Sequence, residues 1–246
     1  MNGNRNLRLR IEYDGTFFRG WQWQPLLRTV QGTIEDAFHR LLQERVTVIG
    51  AGRTDAGVHA IGQVAHVRIV KMLPVETILR GLNALTPDDL VLHRVDEVPS
   101  SFHARFDARQ RVYCYRIATT QRAIGRMYRW SIPYRIDLDR MQEAVTCLVG
   151  AHDFSAFALT DGEERSRTCT VFTCGWSEQR GEIVLDITAD RFLRGMVRAI
   201  VGTSVEIGRR RWPIQRMWEA LEGLDRSRAG PTSPACGLCL MDVRYE

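Results

Sequence analysis

Gly50-Ala51-Gly52-Arg53-Thr54-Asp55-Ala56-Gly57-Val58-His59 places one carboxylate two residues after a guanidinium and among three glycines. The segment before it, Val46-Thr47-Val48-Ile49, is short, β-branched and apolar, as a buried strand should be. Glycines at such a strand exit permit backbone angles and close ligand approach that side chains would block. Asp55 is therefore the candidate catalytic carboxylate, able to act as a nucleophile or a base. A tight turn in which Arg53 and Asp55 only satisfy each other is the alternative for such a loop taken alone.

Other residues could complete such a site. Tyr113 and Tyr115 alternate through Cys114, so both tyrosines face one side of a predicted strand, Arg111 to Ala118, while Val112 and Cys114 face the other. A carboxylate nucleophile must stay ionised in a dry pocket, and a guanidinium is its natural partner there. Arg198, on a predicted helix from Phe192 to Ile207, is a candidate. The chain offers no His-Glu-x-x-His, no Walker loop and no Ser-His-Asp order, which argues against a generic aspartate-dependent hydrolase.

Further strings extend the pattern beyond one loop. Ile11-Glu12-Tyr13-Asp14-Gly15-Thr16 is followed by Gly20-Trp21-Gln22 and Thr29-Val30-Gln31. Ser101-Phe102-His103-Ala104-Arg105-Phe106 leads into Arg111-Val112-Tyr113-Cys114-Tyr115. Phe192-Leu193-Arg194-Gly195-Met196-Val197-Arg198 with Ile200-Val201-Gly202 comes later, and Gly237-Leu238-Cys239-Leu240 closes the chain. Together with the Asp55 loop these strings, in this order, resemble the TruA family of tRNA pseudouridine synthases from end to end.

The resemblance implies a reaction and a role for each motif. Uridine becomes pseudouridine when the N-glycosidic bond breaks, the base turns in place and C5 joins C1′. No group is transferred and no net redox change occurs, so no cofactor is expected. Asp55 would be catalytic, Arg198 its partner, Tyr113 the residue against the target base and Leu238 an apolar pocket residue. Arg53 would enter the space left by the extruded nucleotide. Phe102, His103, Ala104, Arg105, Phe106, Ser166 and Arg167 would contact RNA. The implied targets are uridines 38, 39 and 40 of the tRNA anticodon stem-loop, and the implied assembly is a homodimer. A pseudouridine synthase acting on another RNA, and a non-catalytic RNA-binding protein of the same fold, are the alternatives.

The elements that must position these residues read as two halves. Leu7 to Tyr13 alternates as a strand, and Val30, Ile34, Ala37, Phe38, Leu41 and Leu42 form an apolar stripe at helical spacing. Strands Gln63 to Val70 and Leu90 to Val95 flank a predicted helix from about Pro74 to Leu85. The second half repeats that inventory loosely: helix Asp139 to Leu148, strands Val171 to Ser177 and Ile183 to Thr188, a short helix Pro213 to Leu221 and a last strand Gly237 to Tyr245. Arg122 to Arg135 and Thr160 to Thr168 read as long loops.

This pattern predicts an α+β fold with an N-terminal domain over 1–109 and a C-terminal domain over 110–246. The resemblance implies two RNA-recognition-module-like (ferredoxin-like) domains sharing a long, mostly antiparallel sheet. Helices would cover one face, and the active-site cleft would lie between the domains.

Composition bounds the setting. The 246 residues are 44% hydrophobic and 26% charged, ordinary for a soluble chain, and a formal charge of +5 suits a polyanionic partner such as tRNA. Of 34 basic residues only Lys71 is lysine, and arginine both forks onto phosphate and stacks on bases. No apolar run reaches the roughly 18 to 20 residues of a membrane span, and Met1-Asn2-Gly3-Asn4-Arg5-Asn6 lacks a signal-peptide core, so a cytoplasmic protein with no membrane association is expected. Six scattered cysteines fit a reducing compartment. Cys236-x-x-Cys239 with Cys169-x4-Cys174 could supply four thiolates to zinc, but strand alternation turns Cys236 and Cys239 to opposite faces, and no metal is expected.

Overall fold

The computed structural model describes residues 5–159 and 166–246. Residues 160–165, most of the predicted Thr160–Thr168 loop, lie outside them, as do residues 1–4. The elements run β1 (Arg5–Tyr13), α1 (Val30–Leu42), β2 (Ile49–Gly50), β3 (His59–Ile69), α2 (Val75–Leu85), β4 (Leu90–Val98) and β5 (Gln110–Ala118). They continue as β6 (Trp130–Ser131), α3 (Leu138–Val145), β7 (Gly150–Asp153), β8 (Thr168–Gln179), β9 (Glu182–Ala189), α4 (Met196–Gly208), α5 (Arg216–Gly223) and β10 (Leu238–Arg244). The chain divides into two compact units, one of residues 1–109 with 240–246, the other of residues 110–239.

In the first unit β1 is central. It pairs antiparallel with β3, Leu9 opposite Ala65, and with β4, Leu9 opposite Val95. The last residues of the chain bring β10 beside β3 on the side away from β1. The strand's alternation sends Leu7, Leu9, Ile11 and Tyr13 into the core, all fully or almost fully buried. Val30, Ile34, Phe38 and Leu42 of α1 and Ile78 and Leu82 of α2 are buried with them, so the apolar stripes cover one face of the sheet. Thr29 caps α1 by accepting the Gly32 N–H, and Gln43 closes it in the left-handed conformation.

In the second unit the order is β5-β9-β8-β7, antiparallel throughout, with Tyr113 opposite Ile187 and Trp176 opposite Leu185. The short β6 pairs parallel to β5 and, with a 3₁₀ turn at Arg126–Tyr128, gives structure to the predicted Arg122–Arg135 loop. The strand pairs are thus mostly antiparallel, and the fold is α+β. Helix α4 is buried along nearly its whole length, as its run of apolar and small residues requires.

Several boundaries differ from the sequence expectation, four of them for a visible reason. Val46–Ile49 is not a strand beyond Ile49, because the Val48 N–H donates to the Glu35 carboxylate of α1 at 2.9 Å, and only Ile49 and Gly50 pair with β3. Strand β3 begins at His59, four residues before Gln63, since Tyr13 already lies opposite Ala60. Helix α4 starts at Met196 because Gly195 has φ +73°, which ends any helical run from Phe192. Helix α5 is shifted to Arg216–Gly223, the residues from Pro213 forming its lead-in.

Candidate active site

The Asp55 loop joins β2 to β3 in the first unit, and its backbone is pinned along its length. Ala51 N–H donates to Val64 O at 2.7 Å, and Trp21 N–H to Thr54 O at 3.0 Å. The Thr54 hydroxyl meets the Tyr13 hydroxyl at 2.8 Å, and the fully buried Gln63 amide donates to Gly52 O at 2.9 Å. Val58 N–H donates to Asp55 O at 3.2 Å, closing the turn. Gly57 takes φ +80° there, while a Cβ on Gly50 would strike the Trp21 ring at 2.6 Å and one on Gly52 would meet nothing within 4 Å. Asp55 is half-buried and Arg53 exposed, so the loop holds a rigid main chain and turns the guanidinium outward.

His59 fixes the far end of this loop. Its Nδ1 lies 3.0 Å from the Gly15 N–H. Asp14, 3.1 Å from the same Nδ1, accepts from the Thr16 N–H and hydroxyl. Sequence reasoning did not single out Tyr13, His59 or Gln63 as supports. The available signal was Gln63, a polar side chain on the strand face that otherwise carries Ala65, Val67 and Ile69, which must find hydrogen-bond partners.

Tyr113, Arg198 and Leu238 belong to the second unit. Tyr113 is buried on β5, and the Phe192 ring lies edge-on to it at 5.1 Å. Arg198 is half-buried on the first turn of α4, where its Nε donates to Ser233 O at 2.8 Å and its own carbonyl accepts the Ser233 N–H at 3.1 Å. Tyr115 is fully buried and donates to Pro234 O at 2.8 Å; burial pushes its phenol well above the ordinary range. The 233–237 segment is thereby tied to both α4 and β5, and it delivers Leu238, buried, as the first residue of β10. Ser233 is a support that no motif announced.

The Phe102–Phe106 strip is a compact turn docked on the first unit. Phe102 N–H donates to Pro99 O at 2.9 Å, and the buried Asn6 amide donates to Pro99 O and Phe102 O at 3.0 and 2.9 Å. Ala104 is fully buried; its N–H donates to His66 Nδ1 at 3.1 Å and its carbonyl accepts the Tyr245 hydroxyl at 2.8 Å. His103 stacks on Phe106 at 4.3 Å, and both Arg105 and Phe106 are exposed. In the second unit, Ser166 is exposed and its carbonyl accepts from Arg191, while Arg167 is half-buried with its carbonyl accepting the Phe154 N–H at 3.1 Å.

Burial sets the charge state of several groups. His66 is pulled down to about 4, chiefly by burial and then by the nearby His103 and Arg68, so its ring is neutral and can accept the Ala104 N–H. Burial pushes the Cys114 thiol up to about 11 and Cys174 to about 12, and raises Cys147 and Cys236 as well, which keeps these thiols protonated and unreactive. All six cysteines are free, and among the described residues no three His, Cys, Asp or Glu side chains gather where they could hold a metal ion. Among those residues no helix is long and apolar enough to cross a membrane.

Comparison with known proteins bears on this arrangement. A family model described as tRNA pseudouridine synthase matches residues 10–107 and 144–246. A tRNA pseudouridine synthase A of an Exiguobacterium species is 37% identical over 242 residues, 98% of each chain. One from Chloroflexus aurantiacus is 43% identical over 248 residues, covering 98% of this chain and 89% of its own. One from Thermotoga petrophila is 43% identical over 239 residues, covering 96% and 97%. The Asp55 loop falls within the residues that the family model matches, and the chain belongs to the tRNA pseudouridine synthase family, enzymes that isomerise uridine in tRNA to pseudouridine.

Proposed function

We propose that this chain isomerises uridines 38, 39 and 40 in the anticodon stem-loop of tRNAs, with Asp55 as the catalytic carboxylate. The observation that carries the reading is the Asp55 loop itself: a half-buried carboxylate on a loop held by Tyr13, Trp21, Gln63 and Val64, within a chain that a family relative matches over 98% of its length. Such preorganisation suits a group that must meet a reacting carbon at a fixed angle. In this reading Arg198 is the cationic partner of Asp55, Tyr113 stacks on the target base, and Leu238 lines the pocket that retains the freed uracil. A water-excluding pocket is needed, since water would hydrolyse the detached intermediate.

Reaching a base inside a stem requires extruding the nucleotide, at a cost of a few kcal/mol. Arg53, exposed and two residues from Asp55, suits the vacated space by stacking on neighbours and pairing with phosphate. An enzyme serving three adjacent positions cannot read base edges around each target. It must grip phosphate and shape, through arginines such as Arg105 and Arg167, with the strip Phe102–Phe106 and Ser166 beside them. The family resemblance supports a homodimer in which one tRNA lies across both subunits, and the composition supports a cytoplasmic setting.

The test is a set of tRNA transcripts in which a single uridine is moved among positions 38, 39 and 40 and the product mapped. Modification at all three is expected. Modification at one position only, or only in the D or T arm, would reject the regional specificity while leaving the Asp55 chemistry standing.

A further inference from the structure

We propose that Arg28 is a positioning residue for the reaction, fixing a short jaw, residues 18–21, that clasps the main chain on both sides of Asp55. The proposal rests on the reading of Asp55 as the catalytic carboxylate and adds to it a residue from outside the loop. The jaw lies between β1 and α1. Trp21 N–H donates to Thr54 O at 3.0 Å, and Phe18 O accepts the Gly57 N–H at 3.3 Å. Between these two bonds Gly20, with φ +94°, comes so close that a Cβ would stand 2.8 Å from Thr54 O and 3.3 Å from the Asp55 carbonyl carbon. The two backbones are therefore in direct contact, and a shift of the jaw displaces the residue it flanks.

Arg28 holds the jaw by its main chain and by its side chain. Its carbonyl accepts the Arg19 N–H at 2.8 Å, closing the 19–28 loop. Its guanidinium lies 4.1 Å from the centre of the buried Phe18 ring, and its two terminal nitrogens donate to the two Asp89 oxygens at 2.8 and 2.6 Å. Asp89 is tied in turn to the start of the segment, its carbonyl accepting the Asp14 N–H at 3.0 Å. Fork and stack together fix the guanidinium in direction as well as distance, which a point charge would not do. The pair also stands partly in solvent, with 39% of the Arg28 side chain and 23% of the Asp89 side chain exposed. Such a pair contributes little to stability. What its geometry fixes is where Phe18 stands and, through the Phe18 carbonyl, where Gly57 and the Asp55 turn stand. The Arg28 carbonyl is main chain, so a substitution there removes only the side-chain hold.

The experiment measures kcat, KM, tRNA affinity and melting temperature for the full chain, with activity read at a temperature where every variant is folded. Arg28→Ala should lower kcat about 10- to 100-fold, with KM and tRNA affinity within about 2-fold of wild type. It should also speed amide exchange at Gly57 while leaving Leu9, inside the β1–β3 ladder, unchanged. Arg28→Lys keeps the charge but loses the fork and the planar stack, so its loss should be intermediate. Asp89→Asn should lose less than Arg28→Ala, and Asp89→Ala added to Arg28→Ala should cost little more, because both act through one clasp. Leu26→Gly, at a wholly exposed position of the same loop where the leucine takes φ +61°, should leave kcat unchanged. Wild-type kcat in a folded Arg28→Ala chain overturns the proposal; if that chain does not fold, wild-type kcat in both Arg28→Lys and Asp89→Asn does so. A lowered melting temperature with kcat intact overturns it too, since that is the signature of a merely stabilising pair. So does an equal loss in Leu26→Gly, which would assign the effect to the loop at large. Full turnover by Asp55→Asn would overturn the Asp55 reading and with it the positioning role, and it is told apart because it appears with Arg28 unchanged.

Discussion

A carboxylate performs chemistry only where its neighbours hold it still, and the residues around Asp55 divide that task. Tyr13 and Gln63, inward-facing on two adjacent strands, grip Thr54 and Gly52 on the near side of the loop, while Trp21 takes the Thr54 carbonyl. Arg53, between those fixed points, keeps its side chain in solvent. Its proposed task is to occupy the stack during base extrusion. Arg53→Ala should therefore slow turnover on a folded tRNA by roughly 10- to 100-fold, the range expected when a few kcal/mol of unstacking is no longer offset. Single-turnover rates on that tRNA and on one whose target uridine is already unpaired would check it; the second substrate should recover much of the loss, and equal losses on both would remove the role. The Asp55 loop was legible in the sequence because its glycines, guanidinium and carboxylate are contiguous. Its supports were not, since Tyr13 and Gln63 come from other strand positions and look like ordinary core residues until the sheet brings them under the loop, and His59, which closes the string, meets Gly15 across 44 positions. Ser233 was hidden for the same reason: its contact with Arg198 spans 35 positions and uses main chain, which carries no residue signature.

At the scale of elements, periodicity served where a face is half-buried and failed where local polar contacts intervene. The alternation of β1 and the stripe of α1 locate both elements within two residues of their ends. The Val46–Ile49 run promised a strand, yet Glu35 captures the Val48 N–H and only Ile49 and Gly50 pair with β3. Strand β3 carries a consequence of its own. His66 is held neutral by burial, with His103 and Arg68 reinforcing this and Asp107 opposing it. Its folded value of about 4 lies below the ordinary value near 6.5, so between those limits the unfolded chain binds more protons than the folded one. The contribution is complete above about pH 6.5 and is lost as pH falls toward 4, a change on the order of 2 kcal/mol. Urea unfolding across that window should show the decline for the wild-type chain. His66→Gln, whose amide oxygen accepts without titrating, should show a shallower one; parallel curves for the two proteins would contradict the assignment.

The whole molecule is a fold of two α+β units that belongs to one enzyme family. The order of five motifs along the chain made the family legible, and the matched relatives extend over nearly its full length. What the order of motifs could not convey is how each is braced, because bracing is made of long-range hydrogen bonds such as Tyr245 to Ala104. The central claim is that Asp55 is the catalytic group in uridine isomerisation. It is tested most directly by mapping pseudouridine in tRNA treated with the purified wild-type chain and with Asp55→Asn and Asp55→Ala, after confirming that melting temperature and tRNA affinity are unchanged. The wild-type chain should convert uridine in the anticodon arm, and both variants should fall by roughly 10⁴-fold or more, as expected when a covalent or base catalyst is removed. Substantial pseudouridine formation by a folded, tRNA-binding Asp55→Ala chain would contradict the account.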